Sequence, residues 1–310
     1  MARPKVSIIG AGAVGTATAH WLAQKSIADI VLTDIIEGLP EGKALDIQQA
    51  GPIAGFDVRL TGTSRGYEDT AGSAVVVITA GIPRKPGMTR EQLIDTNAGI
   101  LRHVIDQVVP RSRNGVFIIL TNPLDAMTYL AYKVSGLPRE RILGQSGALD
   151  TTRFRTFLAT ELGVSVSDVD AMVIGAHTDK DMVPLASLAN VRGIPVRTML
   201  PPERLEAVVA RTRRGGAEIT ELMKQSGFTA AGAALVEMIE AVLLDRRRVI
   251  PCSVYLDGEY GQRDICIGVP VIVGAGGVER ILDAPLTDAE RQAFTTSVAV
   301  VREMLASLKL

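Results

Sequence analysis

Short apolar runs alternate with amphipathic stretches through the first half of the chain. The runs at residues 5–10, 29–34, 57–61, 74–79 and 115–121 predict strands, and the stretches 13–25, 39–50, 90–110 and 125–135 predict helices. Regular strand–helix alternation predicts a parallel, doubly wound α/β sheet, in which ligands bind beyond the carboxyl ends of the strands. After about residue 145 the pattern changes. A helix at 150–162 is followed by strand candidates at 169–175, 182–185 and 196–199. Helices at 202–226 and 229–245, strands at 249–256 and 265–273, and a last helix at 287–308 complete an α+β pattern. Two domains are expected, residues 1–145 and 146–310, with a cleft between them.

Composition narrows the class. The chain has 310 residues, enough for a large core, and 33 basic against 34 acidic side chains. That balance gives no bulk electrostatic reason to expect nucleic acid or a membrane surface as partner. The charge-free stretch from Val6 to Gln24 holds three glycines and His20, so no transmembrane span is expected. Arg3 and Lys5 ahead of that stretch resemble a secretory leader, but cleavage there would cut a strand–helix unit in half. Cys252 and Cys266 lie in apolar runs without CxxC spacing. They read as buried free thiols in a reducing cytoplasm, with no metal site expected.

Three features fall at the predicted strand ends: GAGAVG, ITAGIPRKPGMTR at 78–90, and LTNPLD at 120–125. The first is the most informative. VSIIG meets Gly10, Gly12 and Gly15, then a helix, then DIVLTD closing on Asp34. Gly10 allows a tight turn, Gly12 a close approach to a pyrophosphate, and Gly15 close helix–strand packing. The helix start offers N–H groups and positive potential to phosphates. Asp34, nineteen residues beyond Gly15, suits an adenine ribose and would repel a 2′-phosphate, so NAD is expected over NADP. A lone glycine motif is a weak signal; the strand–turn–helix–strand–Asp context makes it a strong one.

The candidate chemistry lies further along. His177 in VIGAHTD follows an apolar run and could act as an acid/base group, although a lone His in such a context is more often structural. Asp150 and Arg153 project from one helical face on their spacing, or are a helix cap and a surface cation. Arg84, Lys85 and Arg90 sit in a Pro/Gly-punctuated segment, and most such basic loops are merely solvated.

Taken together and in order, GAGAVG, Asp34, ITAGIPRKPGMTR, LTNPLDAMTYL, SGLPRERILGQSGALDTTRFR, GAHTD…MVPL and IGVPVIVGAGGVERIL are similar to the lactate/malate dehydrogenase family. Within it they resemble the malate dehydrogenases of the lactate-dehydrogenase-like type, over most of the chain. The resemblance implies a Rossmann NAD-binding domain and reversible hydride transfer between malate or oxaloacetate and NAD(H), as in the tricarboxylic acid cycle. It implies His177 as the acid/base, Asp150 as its partner, Arg153 as the clamp on the C1 carboxylate, and Arg90 as the lid residue that polarises the carbonyl. It implies that Asn122 contacts nicotinamide or the substrate oxygen, and that Arg84 meets the distal carboxylate and so selects a dicarboxylic substrate. Cofactor contacts are implied at Gly10, Gly12, Ala13, Val14, Gly15, Asp34, Thr79, Ala80, Gly81, Asn97, Thr121 and Asn122, and Thr229 is a candidate for the distal pocket. A cytoplasmic homo-oligomer is implied, a tetramer before a dimer, with faces such as 39–50 and 202–226.

One departure stands out. The family usually has His-Gly-Asp running directly into MVPL. Here Thr178 replaces the glycine and Lys180-Asp181 lengthen the segment by one residue, so either Asp179 or Asp181 could fill the usual acidic position. Two rivals remain open at this stage: a lactate or other 2-hydroxyacid dehydrogenase, and a non-catalytic NAD-binding regulator.

Overall fold

The computed structural model describes residues 3–83 and 87–309, apart from the side chain of Arg90. The first half holds strands β1 (Lys5–Ile9), β2 (Asp29–Thr33), β3 (Leu60–Thr63), β4 (Val75–Ile78), β5 (Val116–Ile119) and β6 (Ile142–Gly144). Between them run helices α1 (Ala13–Lys25), α2 (Leu39–Ala54), α3 (Arg90–Val108) and α4 (Leu124–Ser135). The second half opens with α5 (Gly147–Leu162) and the short strands β7 (Val169–Asp170), β8 (Val173–Gly175), β9 (Met182–Pro184), β10 (Asn190–Val191) and β11 (Ile194–Pro195). Helices α6 (Pro202–Met223) and α7 (Thr229–Leu243), strands β12 (Arg248–Asp257), β13 (Arg263–Gly274) and β14 (Gly277–Ile281), and helix α8 (Asp288–Ala306) follow.

One sheet runs through both halves in the order β3-β2-β1-β4-β5-β6-β12-β13-β8-β9, with β14 paired to β13. The pairs from β3 to β6 are parallel, and those from β6 through β9 are antiparallel. Alternation of side chains explains the layering. Val6, Ile8, Val75 and Val77 pack into one face, while Ile9, Val76, Ile78 and Phe117 pack into the other. Helices cover both faces, which is why these strands read as continuous apolar runs. A smaller core, built on Phe154, Leu158, Val173 and Val208, lies under α5 and α6.

The halves are tied by α1 and α7, whose axes approach closely at a glycine. A Cβ on Gly232 would lie 2.9 Å from the Thr18 amide nitrogen and 3.0 Å from the carbonyl carbon of Ala17. These are backbone atoms, so they cannot rotate away.

Several expectations shift. The strand expected at 57–61 pairs only from Leu60, although Phe56 and Val58 are buried as strand residues would be. Residues 196–199 are not a strand: Pro195 leads into a 3₁₀ turn over Val196–Thr198. The α2 helix runs through Pro52 to Ala54, and α6 stops at Met223 because Lys224 takes a left-handed cap at φ 58°. Strands β6, β10, β11 and β14 were too short or too irregular in pattern to be expected. Among the described residues no helix is long and apolar enough to cross a membrane.

Replacing Gly232 by valine is expected to force α1 and α7 apart and destabilise the fold by about 1–3 kcal/mol. Urea unfolding followed by circular dichroism checks this; an unmoved midpoint would mean that the contact is not tight.

Candidate active site

The glycine turn occupies the carboxyl end of β1. Gly10 has φ 109°, and a Cβ there would lie 2.6 Å from Thr79 Oγ1. On Gly15 a Cβ would sit 1.9 Å from the Gly10 carbonyl oxygen, so only glycine lets α1 start this close to the strand. Gly12 differs: its φ is −67° and a Cβ would meet nothing of this chain within 4 Å. Any demand for glycine at that position therefore comes from something outside the chain. The first turn of α1, from Ala13, carries no side-chain cap, leaving its N–H groups for a ligand.

A cavity of about 910 Å³ runs along this turn, lined by Gly10, Gly12, Asp34, Tyr67, Thr79 and Gly81 among others. Asp34 is half-buried; its Oδ2 accepts the Ala11 N–H at 2.7 Å and its Oδ1 the Ile36 N–H at 3.1 Å. Lys43 completes the support by donating to the Ala11 carbonyl at 2.7 Å. An open glycine turn, an uncapped helix start and a carboxylate at the end of β2 fit the pyrophosphate and ribose of a dinucleotide.

A second cavity of about 680 Å³ continues past Val14, Leu120 and Asn122 to Arg153 and His177. Here β8 delivers His177, and α5 begins against β8: a Cβ on Gly147 would lie 2.3 Å from the Val173 carbonyl oxygen. That close approach places Asp150, in the first turn of α5, beside the imidazole. Asp150 is not the N-cap; Ser146 holds that position. His177 Nδ1 donates to Asp150 Oδ2 at 2.7 Å, and Arg153 Nη1 donates to Asp150 Oδ1 at 2.8 Å. Asp150 is 1 % exposed, so one buried carboxylate bridges the ring and the guanidinium. Arg153 lines the cavity, while its Nε is buried without a partner beside Gly215.

Burial opposes the charged form of His177, but the carboxylates of Asp150 and Asp125 outweigh it and hold the ring above the ordinary imidazole value. With Nδ1 committed to Asp150, Nε2 is the nitrogen left for the cavity that His177 lines.

The remaining expected residues fall as follows. Ala80 and Gly81 line the larger cavity, and Thr79 does too while its hydroxyl bonds the carbonyls of Ile9 and Gly10. Thr121 is buried and donates to the Ala80 carbonyl. Asn97 is fully buried: its Oδ1 accepts the Ile82 N–H, and its Nδ2 donates to the carbonyls of Ile82 and Asn122. Its amide thus ties the base of the 82–92 segment to the Asn122 loop rather than pointing into a cavity. Thr229 is exposed at the first position of α7, while its neighbours Gly227 and Ala231 line the second cavity. Arg84, with Lys85, lies outside the described residues, as does the side chain of Arg90.

The lengthened segment after His177 is closed by its own residues. Thr178 does not need positive φ; its hydroxyl donates to Asp181 Oδ2 at 2.6 Å and accepts the Asp181 N–H at 3.1 Å. Asp181 is therefore engaged locally, and Asp179 is the acidic residue that lines the cavity. Two residues escaped the sequence reading. Asp125 is buried beneath His177, and Gln145 lines the cavity with a buried Oε1 that lacks a partner. Each was visible only as a polar residue inside an apolar or glycine-rich run. Among the described residues, no group of three or more His, Cys, Asp or Glu could hold a metal ion.

Comparison with known proteins matches the geometry. Two family profiles cover the chain: the lactate/malate dehydrogenase NAD binding domain over residues 4–144, and the lactate/malate dehydrogenase alpha/beta C-terminal domain over 147–309. A malate dehydrogenase from Roseiflexus sp. (strain RS-1) is 55 % identical over 99 % of both chains. One from Bacillus subtilis (strain 168) is 53 % identical over 99 % of this chain and 98 % of its own. Among solved structures, the malate dehydrogenase of Salinibacter ruber is 45 % identical with a TM-score of 0.93, covering 98 % of this chain and 97 % of that one. The lactate dehydrogenase of Cryptosporidium parvum, complexed with lactic acid and β-nicotinamide adenine dinucleotide, is 40 % identical with a TM-score of 0.94, covering 99 % and 98 %. The chain belongs to the lactate/malate dehydrogenase family.

Proposed function

We infer that this chain is an NAD-dependent malate dehydrogenase, an oxidoreductase that interconverts malate and oxaloacetate. The observation that carries the reading is the buried Asp150 carboxylate shared by His177 and Arg153, beside a cavity that Val14, at the start of α1, also lines. Bound NADH supplies the hydride to the substrate carbonyl carbon, and NAD⁺ takes it back in the reverse direction. Gly10, Gly12, Ala13, Val14 and Gly15 hold the pyrophosphate, Asp34 the adenine ribose, and Thr79, Ala80, Gly81 and Thr121 the stretch between. Asn122 sits at the nicotinamide end.

In reduction, the imidazolium of His177 gives its Nε2 proton to the carbonyl oxygen, leaving a neutral ring that recovers a proton from water. Asp150 keeps Nδ1 protonated and stabilises the imidazolium before transfer. Arg153 grips the C1 carboxylate with a planar, two-point contact. Arg90 comes in with the lid near 82–92 and stabilises negative charge developing on oxygen. The lid's Arg84 pairs with the distal carboxylate of oxaloacetate. Pyruvate would leave that guanidinium desolvated and unpaired. Fold likeness does not choose between substrates, because malate and lactate dehydrogenases match the chain almost equally well; full-length relatives named malate dehydrogenase favour the dicarboxylate.

We divide the chain into an NAD-binding domain at 1–145 and a catalytic domain at 146–310, meeting between β6 and α5. We also propose a cytoplasmic homo-tetramer. Leu45 and Ile53 on α2 are 58 % and 94 % exposed, and Leu222 at the end of α6 is 77 % exposed. Apolar side chains so placed suit a subunit interface. Cys252 and Cys266 are buried and unpaired, as a reducing compartment permits.

The absorbance of NADH at 340 nm tests the activity directly, with oxaloacetate compared against pyruvate. Arg84→Gln is expected to lower kcat/KM for oxaloacetate about a hundredfold or more and to raise the relative rate on pyruvate; an unchanged ratio would remove Arg84 as the discriminator. Asp34→Ser should shift the kcat/KM ratio of NADPH to NADH upward roughly tenfold or more, since a 2′-phosphate no longer meets a carboxylate. If that ratio stays put, Asp34 is not at the ribose. Sedimentation equilibrium should give a mass near four chains of 32.9 kDa, and a single-chain mass would contradict the assembly.

A further inference from the structure

Beneath His177 lies a second carboxylate that the mechanism above does not use. Asp125 is the second residue of α4, just after Asn122-Pro123, and is 2 % exposed. Its Oδ2 accepts the backbone N–H of His177 at 2.9 Å, and its Oδ1 accepts the hydroxyl of Ser253 at 2.6 Å. Ser253 is itself fully buried on β12, at the position where that strand pairs with Gly144 of β6. One carboxylate therefore joins the Asn122 loop, the central sheet and the segment that carries the acid/base. The neighbouring amide is held as well: Ala176 N–H donates to Ser297 Oγ of α8 at 2.6 Å. The imidazole is thus fixed at its ring by α5 and at its backbone by α4 and α8.

We propose that Asp125 is a positioning residue for proton transfer, setting the seat of His177 through its backbone and adding a second buried negative charge that stabilises the imidazolium. The proposal rests on the reading of His177 as the acid/base. A hydrogen-bond acceptor alone would have sufficed to hold the amide; asparagine, glutamine or serine supplies one at lower desolvation cost. What a carboxylate adds is charge, and its burial keeps that charge from being screened by solvent.

The other charges facing the ring are accounted for. Asp150 and Arg153 approach from α5 as a bonded pair, and Asp181 in the same loop is engaged by Thr178. Asp179 lies on the cavity wall, and Arg90, in the proposed mechanism, enters with the lid and does so equally in wild type and variant. On β13, burial pushes the Cys266 thiol well above its usual value, so it stays neutral. Burial holds the Asp125 carboxyl above its usual value, and the bonds from Ser253 and from the His177 amide, which favour the carboxylate, offset only part of that rise. Asp125 and Asp150 both raise His177 against the effect of burial.

The sign is definite. Removing one negative charge lowers the imidazole pKa. Oxaloacetate reduction needs the imidazolium, so its loss of rate with rising pH should set in at a lower pH than in wild type; malate oxidation needs the neutral ring, so its gain of rate with rising pH should also set in at a lower pH. Asp125→Asn keeps the shape, an acceptor for the His177 N–H and a donor to Ser253 Oγ. In the purified full-length enzyme we expect both pH midpoints of kcat/KM to move down together by roughly 0.5–1 unit, with NADH affinity, measured by fluorescence titration, within about twofold. Ser253→Ala, which removes a bond favouring the ionised form of Asp125, should move both midpoints the same way by less; it serves if the asparagine variant fails to fold. A variant that loses kcat while both midpoints stay in place would overturn the proposal and leave Asp125 a structural brace. His177→Asn separates the two readings: wild-type rates in that variant would overturn His177 as the acid/base itself, whatever Asp125 does.

Discussion

The hydrogen bond between His177 Nδ1 and Asp150 Oδ2 is the constraint on which the site depends. It selects the tautomer, turns Nε2 toward the cavity, and keeps a charge-compensating carboxylate against a ring that must carry a proton. Because Asp150 also holds Arg153, the proton donor and the proposed carboxylate clamp are set by one group. A buried carboxylate with no such partners would be protonated rather than charged. The pair and the arginine thus stabilise one another, and neither half of the arrangement is sensible alone.

The fold makes this arrangement rigid. Gly147 lets α5 start in contact with β8, which fixes the distance between Asp150 and His177 through backbone rather than through side-chain adjustment. Substrate choice, in contrast, is proposed to reside in the lid near 82–92, whose base is pinned by the Asn97 amide. On that proposal the acid/base pair and the substrate-selecting residue lie on different elements, and the fold likeness to malate and lactate dehydrogenases alike does not depend on the lid.

Much of this was legible in the sequence where local rules apply. The glycine turn, the Asp at the end of β2, and the three-residue spacing of Asp150 and Arg153 depend on neighbours a few positions away. The strands β1, β2, β4 and β5 announced themselves as buried β-branched runs. Asp125 did not, because an acid in the first turn of a helix is unremarkable, and its partners lie 52 and 128 residues away. The Asn97 amide is held by backbone groups of Ile82 and Asn122 that only the tertiary fold brings together. Thr178 looked like a defect beside a missing glycine; its hydroxyl turned out to close the longer loop. Strand β6 is only three residues long, and β14 has two buried residues followed by Glu279 and Arg280, both exposed, so no period in the sequence marks either.

The central claim is that Asp150 sets the proton affinity of His177. The most direct test is an NMR pH titration of the His177 ring, isotopically labelled, in the wild type and in Asp150→Asn. The ring is expected to titrate above an ordinary histidine and to drop by about one unit or more when the carboxylate becomes an amide. Superimposable titration curves in the two proteins would contradict it.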